Sequence, residues 1–229
     1  MTTSAAPANP GASTGRTGQP PRPNLLWSCG RAFCRIATTL LFDLQLRGIH
    51  NVPVTGGALL ISNHQSYIDP ILLAVQLPRM VSFMARSNLF DNQYFGWLIR
   101  GLNAFPVRRG ESDISALKEA LRRLAAGDVL TMFPEGTRTH DGEIGRIQPG
   151  IAMLVRRARV PVVPAVINGS FQAWPRGQKL PHPHPIRVMY GPPMHVAGLK
   201  GHEIVDLIDR TLRSMLVELR GGNPPLKPS

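Results

Sequence analysis

From Ala58 onward, short apolar runs alternate with longer segments whose apolar residues recur every three or four positions. The runs at 58–62, 81–85, 104–107, 129–133, 160–167 and 186–190 read as buried strands. Between and after them, 70–77, 93–102, 113–126, 150–158 and 202–220 read as helices. Strands that take turns with helices build an α/β fold, here a largely parallel central sheet flanked by helices. In such sheets the ligand site lies beyond the carboxyl ends of the strands. Residues that directly follow a strand are therefore the first candidates for chemistry.

Upstream of the alternating body the pattern changes twice. Residues 1–24 are rich in Pro, Gly, Ser, Thr and Ala, and after Met1 hold no aliphatic side chain larger than Ala. Such a segment buries too little apolar surface to order itself and is expected to be a disordered tail. It lacks the basic start and apolar core of a signal peptide. Residues 25–46 carry Leu26, Cys29, Phe33, Ile36, Leu40 and Leu44 on one helical stripe, with Ser28, Arg31, Arg35 and Thr39 away from it. This is an amphipathic helix. Arg31 and Arg35 interrupt it too early for a comfortable span, so a helix lying in the headgroup layer is expected; a helix packed on the domain is compatible with that. The domain proper is expected over 47–220, with a short tail at 221–229.

The formal net charge is +12. No acidic residue lies between Glu143 and Glu203, while Arg146, Arg156, Arg157, Arg159, Arg176, Lys179, Arg187 and Lys200 do. That balance favours an anionic partner: a phospholipid surface, a phosphorylated substrate or nucleic acid. A basic segment near an anionic bilayer gains about 1 kcal/mol per charge. Nucleic acid is disfavoured, because only 6% of residues are aromatic and no basic helix or aromatic ladder is present. Cys29 and Cys34 are the only cysteines. They are too close together to staple a core, which favours a reducing compartment and excludes a Cys-rich zinc site. His182 and His184 alternate with prolines, which describes a stiff loop better than a metal site.

Two polar loops follow strands. The first, Asn63-His64-Gln65-Ser66-Tyr67-Ile68-Asp69-Pro70, puts a histidine at a strand end. Histidine is the usual general base near neutral pH. On a regular helix Asp69 would point about 140° away from His64. The two meet only if a turn intervenes, and Pro70 supports a turn followed by a helix start. Asp69 could then fix the imidazole tautomer, although an N-cap role suits it equally. The second loop is Phe133-Pro134-Glu135-Gly136-Thr137-Arg138. Gly136 permits a positive φ, Thr137 offers a hydroxyl, Glu135 an acceptor, and Arg138 the fork that matches phosphate. A third stretch, Phe105-Pro106-Val107-Arg108-Arg109-Gly110, ends a strand with two arginines.

Together these segments resemble the glycerolipid acyltransferases, in particular the 1-acyl-glycerol-3-phosphate acyltransferase family. His64 to Asp69 looks like that family's His-four-residues-Asp motif, and Phe105 to Arg109 like its arginine-bearing second block. Phe133 to Arg138 matches its third block in full, and residues 160–165 (Val-Pro-Val-Val-Pro-Ala) its proline-containing fourth. The four occur in the family's order. The resemblance implies an αβ core with His64 as catalytic base and Asp69 as its partner. It assigns Glu135, Gly136, Thr137 and Arg138 to the acceptor, and makes Arg109, the arginine of the second block, a substrate-binding residue. It implies acyl-CoA or acyl carrier protein as thioester co-substrate, a lysophospholipid as acceptor, and no metal or bound cofactor. The expected product is phosphatidic acid, made at a membrane phospholipid surface on the cytoplasmic face of the cell membrane.

Residue chemistry agrees, since an alcohol attacking a thioester needs its proton removed. No Gly-x-Ser-x-Gly elbow is present to suggest an acyl-enzyme. Arg108, Gln148 and Arg86 depart from the residues common in the family at those places, which bears on acceptor identity. Glycerol-3-phosphate, a lyso-aminolipid or a glycolipid remain alternative acceptors, and a non-catalytic lipid- or nucleic-acid-binding module is the distant alternative.

Overall fold

The computed structural model describes residues 25–101, 103–107 and 114–221. The tail at 1–24, residues 222–229, Arg108 and Arg109 lie outside the described residues. The elements run in the order α1 (Leu25–Phe42), β1 (Gln45–Arg47), β2 (Ala58–Ser62), α2 (Asp69–Ala74), β3 (Val81–Arg86), α3 (Gln93–Gly101) and β4 (Ala104–Val107). They continue with α4 (Ile114–Ala125), β5 (Val129–Met132), α5 (Gly150–Ala158), β6 (Val162–Asn168), α6 (Ser170–Ala173), β7 (Arg187–Tyr190) and α7 (Gly201–Gly221).

One seven-stranded sheet has the order β1-β7-β6-β2-β5-β3-β4. Its pairings are parallel except β6 with β7. The sheet is therefore largely parallel, as the alternation predicts. Side chains alternate across β2: Leu59 and Ile61 join one core with α4, α5 and α7, whereas Ala58 and Leu60 join the other with α2 and Phe42 of α1. Both faces are covered, which is why these strands read as continuous apolar runs. In α7, Ile204, Ile208, Leu212, Met215 and Leu219 form the buried stripe.

Neighbouring strands β2 and β5 send their following helices to opposite faces, α2 to one and α5 to the other. In open α/β sheets such a reversal of faces is where ligand sites lie, beyond the carboxyl ends of the strands. Both polar loops singled out by the sequence leave these two strands.

The N-terminal helix differs from its expected form in its end. It ends at Phe42 rather than at residue 46. Asp43 takes a left-handed φ of 41°, and the chain then enters β1, which pairs in parallel with β7. Leu44 keeps the helical period, but a turn and an available sheet edge override it. The face that packs on the body is the polar one. Arg31 Nε donates to the carbonyl of Val75 at 2.9 Å, and Thr38 is buried with its hydroxyl on the carbonyl of Cys34. Phe33, Ile36 and Leu40 are 72%, 62% and 79% exposed. The apolar stripe thus points away from the body. Among the described residues no helix is long and apolar enough to cross a membrane.

Candidate active site

The first loop is built from the end of β2. Asn63 is buried; its Oδ1 accepts the Ile167 amide at 2.8 Å and its Nδ2 donates to the Ile167 carbonyl at 3.0 Å. That two-way bond pins the end of β2 to β6. His64 follows, residues 66–68 turn, and Asp69 opens α2 with Pro70 behind it. The turn resolves the 140° problem, because Asp69 faces back toward the strand. It does not cap α2, whose N-cap is Ile68 without a side-chain bond. Asp69 is wholly buried and its Oδ2 lies 2.8 Å from His64 Nδ1. The same oxygen accepts the amides of Gln65 at 2.6 Å and Ser66 at 2.7 Å.

A carboxylate oxygen offered to Nδ1 selects the tautomer with the proton on Nδ1. Nε2 then carries the lone pair. The imidazole stacks on Phe133, the first residue of the second loop, with centroids 4.0 Å apart and planes 16° from parallel. The side chain is only 19% exposed.

The second loop is sewn to the first. Gly136, at φ 69°, closes a turn with its amide on the Phe133 carbonyl. Glu135 is buried, with Oε1 accepting the His64 amide at 2.8 Å and Oε2 the Gly145 amide at 2.7 Å. Burial pushes its carboxyl above the ordinary glutamate range, against the pull of the Gly145 and His64 amides. The Thr139 amide returns the link, donating to the His64 carbonyl at 2.8 Å. Both oxygens of Glu135 are thus engaged by backbone.

Arg138 sits with Cζ 3.4 Å from the centre of the Tyr67 ring, a cation–π stack. Its Nη1 is buried without a hydrogen-bond partner. Its carbonyl accepts Arg176 Nη1 at 2.9 Å. Tyr67 in turn lies 5.8 Å from the Trp174 ring. Because Tyr67 belongs to the His64–Asp69 turn, the imidazole and the Arg138 guanidinium share one rim. Thr137 is half-buried and Gly136 exposed on that loop.

The structure thus brings His64, Asp69, Glu135, Gly136, Thr137 and Arg138 together. Arg109 is the one nominated residue outside the described part; Phe105, from the same block, is buried under the Arg123 guanidinium. The fourth block supplies β6, whose end meets Asn63. Trp97 is 62% exposed. Sequence reasoning missed Ser170, whose Oγ lies 2.6 Å from Asp69 Oδ1. A serine after Asn-Gly reads as a turn, and nothing local shows that the turn closes on residue 69. Among the described residues no cluster of three or more His, Cys, Asp or Glu is arranged to hold a metal.

Comparison with known proteins adds the following. The family model described as Acyltransferase matches residues 43–168. The chain is 30% identical over 172 residues to the 1-acyl-sn-glycerol-3-phosphate acyltransferase of Bacillus subtilis, covering 72% of this chain and 82% of that one. It is 29% identical over 187 residues to the protein of the same name from Pseudomonas aeruginosa, covering 78% and 71%. Among solved structures, the 1-acyl-sn-glycerophosphate (LPA) acyltransferase PlsC of Thermotoga maritima superposes with a TM-score of 0.72 at 26% identity, over 84% of this chain and 79% of that one.

Proposed function

The chain belongs to the acyltransferase family and is an O-acyltransferase, and on that premise we propose that it moves a fatty acyl group from the thioester of CoA or acyl carrier protein to the free hydroxyl of 1-acyl-glycerol-3-phosphate, forming phosphatidic acid. The observation that carries this reading is the shared rim of His64 and Arg138. One end of the rim holds a base whose Nδ1 is engaged by Asp69, and the other a guanidinium with an unpartnered N–H.

In the proposed reaction His64 Nε2 takes the acceptor hydroxyl proton as that oxygen attacks the thioester carbonyl carbon. Asp69 stabilises the imidazolium that forms. The tetrahedral intermediate collapses by breaking the carbon–sulfur bond. The departing thiolate takes the proton from His64, which returns to its starting state. The acceptor phosphate pairs with Arg138, whose stack on Tyr67 fixes the fork before binding. Thr137 offers a hydroxyl beside it, and the turn at Gly136 sets the path of that loop. Glu135 serves the acceptor through the backbone it holds, and Arg109 is assigned to substrate binding by its motif alone. The thioester is a co-substrate, and neither metal nor resident cofactor has a part.

The substrates are amphiphiles, so the enzyme must meet a lipid surface. The outward stripe of α1, Phe33, Ile36 and Leu40, supports docking on an anionic membrane at its cytoplasmic face, as does the net charge of +12. Tyr94 and Trp97 of α3, both exposed, are the residue types that settle at headgroup depth.

The deciding experiment offers lysophosphatidate and glycerol-3-phosphate separately to detergent-extracted protein with long-chain acyl-CoA, and with acyl-loaded carrier protein. Phosphatidate from the first acceptor, lost in His64→Ala, supports the reading. Transfer only to glycerol-3-phosphate moves the acceptor, and transfer undiminished in His64→Ala removes the base.

A further inference from the structure

We propose that Ser170 is a positioning residue for the catalytic base: its hydroxyl fixes the second oxygen of Asp69, and Asp69 so fixed orients His64. The proposal rests on reading His64 as the base, and it adds a third member behind the pair.

Asp69 is wholly buried, and His64 uses only one of its oxygens. Oδ2 is crowded by His64 Nδ1 and the amides of Gln65 and Ser66. Those three bonds fix where Oδ2 sits but leave the carboxylate free to rock about it. Ser170 Oγ, 2.6 Å from Oδ1, removes that freedom. The hydroxyl has one proton and two acceptors in reach, Asp69 Oδ1 and, at 3.2 Å, Gln65 Oε1. The nearer oxygen, on a carboxylate, takes it. Gln65 is held in this orientation because its Nε2 donates to the Gly142 carbonyl at 2.8 Å.

The placement of Ser170 is determined by the turn that precedes it. Gly169 before it has φ 99°, and a Cβ there would collide with the carbonyl oxygen of Pro185. Only glycine tolerates both, and this tight turn drops Ser170 to zero exposure at the start of α6. Gly169 is the N-cap of α6, and no side chain caps that helix. The hydroxyl therefore does not serve its own helix. The Asn63–Ile167 bond sets how far along β2 this turn arrives.

The test measures phosphatidate formation by the full chain in detergent. Ser170→Ala removes the donor, and Ser170→Cys keeps the shape with a much weaker one. Both should lower kcat, the alanine variant by about tenfold, as loss of a bond to a charged group does. KM for donor and acceptor should stay within about twofold, because Ser170 touches neither. The same change is then made in an Asp69→Asn background. A residue that acts through Asp69 should there have no further effect. If the losses multiply, or if KM rather than kcat moves, or if Ser170→Ala keeps full kcat, the proposal is overturned. Should the alanine variant fail to fold, the cysteine variant carries the same cycle. His64→Ala run alongside separates the two levels: its loss of transfer with intact Ser170 variants sinks the role of Ser170 alone, and its retention of transfer sinks the base itself.

Discussion

The backbone amide of His64 donates to Glu135 Oε1 at 2.8 Å, across a sequence gap of 71 residues. The turn after β2 and the loop after β5 are thereby one unit. Glu135 Oε2 extends it to Gly145, where a Cβ would sit 3.0 Å from that oxygen.

Replacing Glu135 by Ala strands two amides, at a cost on the order of 1–3 kcal/mol each. Thermal melts should show that loss, with transfer falling as well. Glu135→Gln gives a pH test. The carboxyl is held above its ordinary range by burial, so the folded protein binds that proton more tightly than the unfolded chain. Its share of stability is full below the ordinary value and is lost as pH rises through the raised one. The melting temperature of wild type minus that of Glu135→Gln should therefore shrink as pH is raised from about 4. A difference that grows with pH would contradict the sign.

His64→Ala should reduce kcat by about 10²–10⁴ with a modest fall in melting temperature, since the mostly buried imidazole gives up its stack on Phe133. Asp69→Asn should lower kcat by a comparable factor, because the amide both donates and accepts and no longer selects one tautomer. Steady-state rates beside circular dichroism separate lost chemistry from lost fold.

Arg138→Ala should raise KM for lysophosphatidate by at least about tenfold, the loss of a charge-assisted bond to phosphate. KM for acyl-CoA should change little. Arg138→Lys should restore only part, since an ammonium cannot reproduce the planar fork or the stack on Tyr67. Equal effects on both substrates would take Arg138 out of the phosphate site.

Phe33→Glu together with Ile36→Glu should weaken cosedimentation with phosphatidylglycerol vesicles by tenfold or more, given about 1.5–3 kcal/mol for burying each such side chain. Because both side chains are exposed, the melting temperature in detergent-free buffer should not fall. Undiminished vesicle binding would remove α1 from the lipid contact.

Much of the sheet was legible because its strands are buried on both faces and read as uninterrupted apolar runs, Leu59 to Ile61 and Val162 to Ile167 among them. The strand β1 was not, because three half-buried residues at an edge leave no such run and the helical period continues through Leu44. The His64 and Arg138 loops were visible as polar residues after strands. The partners of α1 on the body, such as the Val75 carbonyl that Arg31 reaches, were hidden, because amphipathicity gives a stripe and not a contact. Ser170 was hidden for a different reason. Its partner is 101 residues away, and only the alignment of β6 with β2 makes the two neighbours.

That alignment also governs the order in which the protein comes together. The His64–Asp69 turn is local, but its fastenings arrive from Glu135, Ile167 and Ser170, the last two 104 and 101 residues away. Contacts so distant in sequence form late, since a long loop must close first. During refolding, helical signal and even burial of β2 against β5 can precede the arrival of β6, and an enzyme at that stage has its histidine without the frame around it. Recovery of transfer then trails recovery of secondary structure, and activity becomes a clock for the docking of β6.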